Sequence, residues 1–520
     1  MEKRKLQASD IDALMNRYQF TDETRKIIEN ENLLPLTLLQ RLHDNFPHRS
    51  LFLRDDDFYF KDKNYYSGME GFRQIVTVLN QNGIDIGHIK EREFFIDVYR
   101  FMATKHVLNA INWKDYENDS MYHLVFPQPG MIKKEDVEPY LNATTEAEKA
   151  RIVEEYQKKT NPHDGKQKLN HPWYINDEGE LEVLKGSQHK YPQVALVFDK
   201  TTQNCFAFCN YCFRHAQVRG DEDMFVQDDV KQLHDYLKNH KEVTDVLITG
   251  GDGGFITYER LNAYLTPIME DPELGHIKNF RIGSRALSFH PELVLTAKYK
   301  PILELLKKAS DHGIQPVWVS HFSTPKEVIN LVTIAAIRRL KAHGVTCKSQ
   351  SPIMRHISLF ENADGTVDIE RSARNWVDLG NIIGMLGVGF HSMYCARPTG
   401  EHHYFTTPLI DIHKVFTEIF KRLPSINRPS RYITMTSSAG KISLLGTTQV
   451  NGETAFALKI NEGRNMDWLD QVYLAKFDDK QNSIEKLKPY QGEKHFFEDE
   501  LHAIEKKLEE NLLKEMNKKH

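Results

Sequence analysis

The feature that most constrains the fold is a succession of short apolar runs, each followed by an amphipathic helical stretch, that begins near residue 190. Such alternation is typical of βα units, whose strands lie side by side in a parallel sheet. The predicted strands are Val194–Phe198, Val243–Thr249, Asn279–Gly283, Pro316–Ser320, Val345–Ser349 and Val388–Met393. These roughly six units are fewer than the eight of a closed barrel. The sequence therefore predicts an α/β fold with a partial (β/α)6 TIM-type barrel.

The regions on either side of this pattern differ from it. Residues 1–185 are polar and predicted to be mostly helical, with a capping-type helix start at Thr21. Residues 186–428 hold the predicted barrel. Residues 429–520 are predicted to form a small α+β region, with a strand at Tyr432, a turn over Ser437–Lys441, two further β runs and a terminal amphipathic helix.

Charge and composition exclude several classes of protein. The net charge is −5 at pH 7, so no basic field indicates binding to nucleic acid. The first ten residues lack the apolar core of a signal peptide, and no apolar run has membrane-spanning length. We therefore expect a cytoplasmic enzyme with reduced thiols and no membrane partner.

Three of the five cysteines fall in one window, Cys205-Phe-Ala-Phe-Cys209-Asn-Tyr-Cys212. Three thiolates on a short loop can hold three corners of a 4Fe–4S cluster and leave the fourth iron open. Zinc is an alternative, although it normally takes four ligands in CxxC-type pairs. Buried structural cysteines are another, and a disulfide is disfavoured in a chain of this kind. The spacing favours the open cluster.

Distinctive residues follow directly on the predicted strands. Because reacting groups of barrels lie on loops at the carboxyl ends of the strands, we expect these residues to converge on one mouth. In chain order they are the cysteine loop, Gly250-Gly251-Asp252, Ser284-Arg285, His321, Gln350 and Cys395-Ala396-Arg397.

The cysteine loop after the first strand and Gly250-Gly251-Asp252 after the second resemble the radical S-adenosylmethionine enzymes. The resemblance implies a 4Fe–4S cluster on Cys205, Cys209 and Cys212, with S-adenosylmethionine on the open iron. It also implies that Gly250-Gly251-Asp252 binds the amino group of that cofactor. The cofactor then supplies a 5′-deoxyadenosyl radical, while the protein positions it and excludes solvent.

A narrower resemblance over residues 185–465 is to the lysine 2,3-aminomutase family. The matching segments include His189-Lys-Tyr-Pro, Arg281-Ile-Gly-Ser-Arg285, Ser320-His321-Phe322, Gln350-Ser351 and Gly440-Lys441. It implies a second cofactor, pyridoxal phosphate, held covalently by Lys441, with Lys190 near its phosphate. It also implies that Arg214 pairs with the substrate's α-carboxylate. Ser284, Arg285, His321 and Gln350 are assigned to cofactor binding on the same basis.

The sequence departs from the family pattern at the positions that bind the substrate side chain. Lysine-specific members hold the distal ammonium with two aspartates, whose positions correspond here to Ala396 and Thr434. Leaving a buried ammonium unpaired costs about 3–5 kcal/mol, so free lysine is a doubtful substrate. Arg397 could instead meet a substrate carboxylate, although a salt bridge is an equally good interpretation.

The leading hypothesis is a radical aminomutase that is not specific for free lysine. The alternative is a radical S-adenosylmethionine enzyme on the same scaffold with a different reaction or a larger substrate. A third class, a non-catalytic iron–sulfur or zinc protein, is disfavoured by the retained motifs. The expected partners are a small amino acid and an electron donor such as flavodoxin or ferredoxin, and we expect a homo-oligomer.

Overall fold

The computed structural model describes residues 4–54, 58–160, 169–176, 178–220 and 225–518. Helices dominate its N-terminal part. They are α1 (Ala8–Arg17), α2 (Asp22–Asn30), α3 (Leu36–Asn45), α4 (Gly68–Gln81), α5 (Ile89–Val98), α6 (Lys105–Ala110), α7 (Ser120–Val125), α8 (Lys134–Asn142) and α9 (Glu146–Thr160). Helix α2 begins as predicted, because Oγ1 of Thr21 accepts a hydrogen bond from the N–H of Thr24 at 3.1 Å.

Two small antiparallel pairs accompany these helices. One joins β1 (Tyr65–Ser67) to β2 (Met102–Thr104), and the other joins β3 (Trp173–Ile175) to β4 (Leu181–Val183). The sequence pattern did not predict either pair. Each strand has only three residues, which is too short to show a period of two.

A mixed sheet of eleven strands forms the centre of the part of the chain that the structure describes. Its strands lie in sequence order, with parallel pairing from β6 to β12 and antiparallel strands at both sides. They are β5 (Ser187–Tyr191), β6 (Val194–Phe198), β7 (Asp245–Thr249), β8 (Asn279–Gly283), β9 (Gln315–Ser320), β10 (Thr346–Pro352), β11 (Gly389–Tyr394), β12 (Ile433–Thr436), β13 (Gly440–Val450), β14 (Glu453–Gly463) and β15 (Val472–Lys476).

Helices follow most of the parallel strands, as expected of βα units. They are α10 (His215–Arg219), α11 (Val230–Asn239), α12 (Tyr258–Glu270), α13 (Ala286–Phe289), α14 (Lys300–Asp311), α15 (Leu331–Ala342), α16 (Ile369–Met385), α17 (His402–Phe405) and α18 (Leu409–Arg422), with α19 (Glu498–Lys518) near the C-terminus. In β9 every residue after Gln315 is buried, as in a strand covered on both faces. Of the helices described, none is both long enough and apolar enough to cross a bilayer.

The predicted α/β class is confirmed, and each of the six predicted strands has a counterpart in β6 to β11. Three details differ from the prediction. Strands β5 and β15 were missed, and Lys441 is the second residue of β13 rather than part of a turn. Residues of β5 and β14, near opposite sides of the sheet, approach within 8 Å. This approach brings Lys190 and Tyr191 close to the β13–β14 hairpin, while closure as a partial barrel stays a prediction.

A buried ion pair fixes the start of the segment that follows β6. Asp199 is fully buried and accepts hydrogen bonds from Nε of Arg260 at 2.7 Å and the hydroxyl of Tyr264 at 2.8 Å. Its other carboxylate oxygen accepts the N–H of Thr201 at 2.8 Å. Since Arg260 and Tyr264 lie on α12, this pair ties the segment after β6 to the helix after β7.

Replacing Asp199 with alanine should lower the free energy of unfolding by about 3 kcal/mol, because the half-buried Arg260 and the hydroxyl of Tyr264 would both lose a charged acceptor. Tyr264→Phe removes a single hydrogen-bond donor and should cost about 2 kcal/mol. Urea unfolding followed by circular dichroism measures both losses. Equal losses in the two variants would contradict the assignment of Asp199 as the counter-ion of Arg260.

Candidate active site

The three predicted cluster cysteines lie on the irregular segment between β6 and α10, at the carboxyl end of the parallel strands. All three thiols are free and half-buried. Burial raises the pKa of Cys205 well above its usual range and the pKa of Cys212 to about 12. Thiols in so dry a site lose their protons only beside a strong positive charge, such as that of iron.

The distances between the three cysteine sulfurs indicate how closely they could surround a metal ion. Among the described residues, the sulfurs of Cys205, Cys209 and Cys212 do not all lie within 4.8 Å of one another. Thiolates around one tetrahedral zinc ion, bonded at about 2.3 Å, would lie only about 3.8 Å apart. The three sulfurs are therefore not gathered as closely as the ligands of one zinc ion would be.

The N-terminal region holds the cysteine segment in place. The N–H of Phe208 donates to the carbonyl of Met102, and the N–H of Asn210 donates to the carbonyl of Leu124, both at 2.9 Å. The buried Asn210 side chain donates to the carbonyl of His123 at 3.0 Å. Residues 102–124, to which the sequence assigned no role, therefore support the loop that carries the cysteines.

Arg285 connects the cysteine segment to two neighbouring strand ends. Its Nη1 donates to Sγ of Cys209 at 3.3 Å and to the hydroxyl of Tyr211 at 2.7 Å, while its Nη2 pairs with the buried Glu327. The N–H of Arg285 donates to Oδ2 of Asp252 at 2.8 Å. Burial raises the pKa of Asp252 to about 6, against the opposing effect of the hydrogen bonds it accepts.

The glycines after β7 allow the close approach expected of them. The N–H groups of Gly251 and Asp252 donate to the carbonyl of Thr202 at 2.9 and 3.1 Å. A Cβ on Gly251 would lie 2.6 Å from the carbonyl oxygen of Asn204, and Gly250 has a positive φ of 145°. Glycine is therefore needed here so that the end of β7 can reach the start of the cysteine segment.

A cavity of about 570 Å³ lies beside this segment, a size suited to a cofactor and a small substrate. Several residues singled out from the sequence form part of its wall, namely Lys190, Arg214, His321, Gln350, Ala396, Arg397 and Lys441. The three cysteines, Gly250–Asp252 and Ser284–Arg285 lie outside this wall. The predicted residues thus form two adjoining groups, joined through Tyr211 and Arg214.

Lys441 is presented to the cavity by the base of the β13–β14 hairpin. The register pairs it with Glu462, and its Nζ lies 2.7 Å from Oε2 of that residue. The same ammonium lies 5.1 Å from the ring centroid of Tyr191. A Cβ on Gly440 would lie 2.0 Å from the Glu462 carbonyl oxygen, so only glycine fits before the lysine.

His321 and Gln350 reach the cavity from the ends of β9 and β10. Burial lowers the pKa of His321 to about 3, with further lowering by Arg285 and Arg214, so the imidazole is neutral near pH 7. A register shift between β10 and β11 falls at Ser349 and Gln350. Such an irregularity redirects a side chain at the end of a strand.

Positive charge is concentrated on the wall of the cavity. The cationic residues there are Lys190, Arg214, Arg281, Arg397 and Lys441. Within the described wall the one carboxylate is Glu462, which is paired with Lys441. Burial lowers the pKa of Arg214 to about 10. A cavity of this kind suits anionic groups such as carboxylates and phosphates.

Three residues of this region escaped the sequence-based prediction. Glu462 and Tyr191 contact Lys441, and Nε of Arg464 donates to the carbonyl of Ser438 at 3.0 Å. The pairing of two predicted β runs could have indicated Glu462. Tyr191 lies in the His189-Lys-Tyr-Pro segment, which gave this residue no role, and no local motif marks Arg464, because both residues reach the site through tertiary approach.

Several known proteins are similar to this chain in sequence. A scan of family models gives no match. Curated proteins named L-lysine 2,3-aminomutase are similar to this chain at 25–32% identity. An Aquifex aeolicus protein provisionally given that name shares 28% identity over 275 residues, which are 52% of this chain and 67% of that protein. Glutamate 2,3-aminomutase of Clostridioides difficile shares 25% identity over 202 residues, 36% of this chain and 44% of its own.

Over part of its length, this chain is similar to curated proteins of the lysine 2,3-aminomutase-like family of radical S-adenosylmethionine enzymes. It spans less than half the length of most of the curated relatives it matches. Among solved structures, SuiB of Streptococcus suis bound to precursor peptide SuiA covers 64% of this chain and 69% of its own at 13% identity. The TM-score of 0.31 is too low to bear on the fold.

The chain differs from the lysine-specific pattern at the two positions that are expected to hold a distal ammonium. Ala396 lines the cavity, whereas Thr434 lies in β12 with its hydroxyl donating to the carbonyl of Met393 at 3.4 Å. Neither position supplies a carboxylate to the cavity.

The loop after β11, which carries Arg397, is joined to the N-terminal region through Glu401. This residue is only 3% exposed, and the hydroxyls of Tyr99 and Tyr156 donate to its Oε1 at 2.7 and 2.9 Å. Burial raises the pKa of Glu401 to about 7, while the two tyrosine hydrogen bonds act in the opposite direction.

The stability contributed by Glu401 should therefore fall as pH rises. Its pKa is higher in the folded chain than the ordinary value of 4.5, so this contribution is complete below pH 4.5 and lost as pH rises through about 7. Glu401→Gln, which cannot ionise, should gain about 3 kcal/mol relative to the native protein between pH 4.5 and 8. Urea unfolding at both pH values measures this gain.

The exposed Glu510 provides the control for this measurement. Glu510→Gln removes the same charge from α19 and should leave the pH profile of unfolding unchanged. A Glu401→Gln profile that runs parallel to the native one would show that this carboxyl group is not shifted by burial.

Proposed function

We propose that this protein is a radical S-adenosylmethionine, pyridoxal phosphate-dependent isomerase that moves an amino group between neighbouring carbons of an amino acid, as 2,3-aminomutases do. The observation that carries the proposal is the convergence of Lys441, paired with Glu462, and Arg214 from the cysteine segment on one 570 Å³ cavity. The proposal includes the partial (β/α)6 barrel and a cytoplasmic location.

Cys205, Cys209 and Cys212 would hold three irons of a 4Fe–4S cluster, with the fourth iron left for S-adenosylmethionine. When bound, these groups supply a carbon radical that can take a hydrogen atom from the substrate. The chain holds this segment in place through the hydrogen bonds that Phe208 and Asn210 make to the N-terminal region. Its Arg285 donates to Sγ of Cys209, a contact of the kind that tunes cluster potential.

Lys441 would hold pyridoxal phosphate, which supplies an electron-accepting ring when bound. Oε2 of Glu462, 2.7 Å from Nζ, is placed to accept the lysine proton and leave the amine nucleophilic. Gly440 keeps the approach to that amine free of a side chain, and the ring of Tyr191 faces the same nitrogen.

Arg214 is proposed to pair with the α-carboxylate of the substrate. Its Nη1 is oriented by a hydrogen bond to Oγ1 of Thr249 at 2.6 Å, which leaves the rest of the guanidinium for a carboxylate. Ala396 offers no counter-charge to a distal ammonium, and an unpaired buried ammonium would cost about 3–5 kcal/mol. The substrate is therefore proposed to be an amino acid other than free lysine, and Arg397 suits one with a side-chain carboxylate.

Borohydride reduction of the protein after incubation with pyridoxal phosphate should label Lys441, because its amine is the one placed beside a proton acceptor in the cavity. Peptide mapping by mass spectrometry locates the label. Lys441→Ala should lose it, whereas the control Lys476→Ala, at an exposed position in β15, should keep it.

A label elsewhere, or none, would remove the aminomutase proposal. Cleavage of S-adenosylmethionine to 5′-deoxyadenosine by the reduced, reconstituted protein is a separate measurement. Cleavage without a label on Lys441 would favour a radical enzyme of the same scaffold with another reaction or a larger substrate. The electron would come from a donor of the flavodoxin or ferredoxin type, and a homo-oligomer remains part of the proposal.

A further inference from the structure

Two cations from separate elements meet at the turn before Lys441. Nζ of Lys190, in β5, donates to the carbonyl of Ser437. Nε of Arg464, the residue directly after β14, donates to the neighbouring carbonyl of Ser438 at 3.0 Å. Two consecutive carbonyls of residues 437–440 thus hold two positive side chains in place.

Arg464 is joined to the cavity wall by a neutral partner. Its Nη2 donates to Oδ1 of Asn170 at 2.6 Å, and Asn170 belongs to the cavity wall. The carbonyl and amide oxygens that Arg464 contacts fix its direction, and Glu505 offsets its charge only in part, because burial still lowers the pKa of Arg464. A planar guanidinium held in this way is arranged for an oxyanion.

Two carboxylates offset part of the positive charge around this turn, namely Glu505 and Glu485, whose Oε1 accepts the N–H of Ser438 at 3.2 Å. The pKa of Lys190 is held well below its usual range, first by burial and then by Arg464 and Arg397. Glu485 and Glu505 act in the opposite direction without restoring it. Crowding of buried cations costs free energy, and a bound dianion would relieve it.

The hairpin register fixes Arg464 relative to Lys441. Lys441 pairs with Glu462, and Arg464 lies two residues beyond Glu462, where its N–H donates to the carbonyl of Ala439 at 3.0 Å. Two residues of extended chain span about 6.6 Å. In pyridoxal phosphate the aldehyde and the phosphate arm are carried by adjacent ring carbons. A phosphate-binding residue is therefore needed close to the lysine that holds the aldehyde carbon.

We propose that Arg464, with Lys190 beside it, binds the phosphate group of pyridoxal phosphate. The inference rests on the function proposed above and adds a residue to it. The ligand class is a phosphate monoester dianion, bound at the turn formed by residues 437–440.

Pyridoxal, which lacks the phosphate, separates this role from a structural one. Binding of pyridoxal phosphate and of pyridoxal to the full-length protein, followed by absorbance, gives a dissociation constant for each. Arg464→Gln should weaken pyridoxal phosphate about 10- to 100-fold, the range for a lost hydrogen bond to a charged group, and change pyridoxal less than about threefold. Arg464→Lys should lie between the native protein and Arg464→Gln.

Two further variants sharpen the test. Asn170→Asp keeps Arg464 but gives it a carboxylate partner, and should weaken pyridoxal phosphate selectively in the same way. Arg151→Gln removes a charge from the exposed face of α9 and should change neither ligand. Inorganic phosphate should compete with pyridoxal phosphate in the native protein and not in Arg464→Gln.

Equal weakening of both ligands by Arg464→Gln would assign this residue a structural role and overturn the inference. So would unchanged binding of pyridoxal phosphate. If the native protein binds both ligands on Lys441 with equal affinity, the proposed function survives and the phosphate site does not. If neither ligand reaches Lys441, both proposals fail together.

Discussion

The whole site depends on the backbone hydrogen bonds that the carbonyl of Thr202 accepts from Gly251 and Asp252. They join the segment after β6 to the end of β7, and they form only because Gly250 and Gly251 carry no side chains. Asp252 then accepts the N–H of Arg285, which reaches Cys209 from the end of β8. Three consecutive strand ends are thereby joined around the cysteine segment.

The cavity forms the second part of the site, and several positively charged residues line it. The cavity wall places Lys190, Arg214 and Arg397 near one another, and burial and mutual repulsion lower the pKa of Lys190 and of Arg214. Such crowding of charge is typical of binding sites, because the ligand supplies the missing charge. In the proposed function, the same positive charge disfavours a substrate with a distal ammonium, in addition to the loss of the two aspartates.

The sequence predicted the parallel strands well because strands buried on both faces are continuous apolar runs, as in Val194–Phe198. It missed β5, in which Gln188, His189 and Lys190 give a polar composition, and it placed Lys441 in a turn because small residues precede it. Asn210 contacts Leu124, which lies 86 positions away in the chain, and Arg464 contacts Ser438, which lies 26 positions away. No periodicity or local motif encodes contacts of that range.

The two ends of the β13–β14 hairpin carry different features: the residues of the candidate site lie at one end, and the connecting turn lies at the other. Lys441, Glu462 and Arg464 lie at its base, whereas its tip is a tight connection in which Asn451 and Gly452 both have positive φ. Residues added at the tip would lengthen an exposed loop without disturbing the pairing at the base. The hairpin can therefore accept insertions, and so acquire new surfaces or partners during evolution, while the lysine keeps its position.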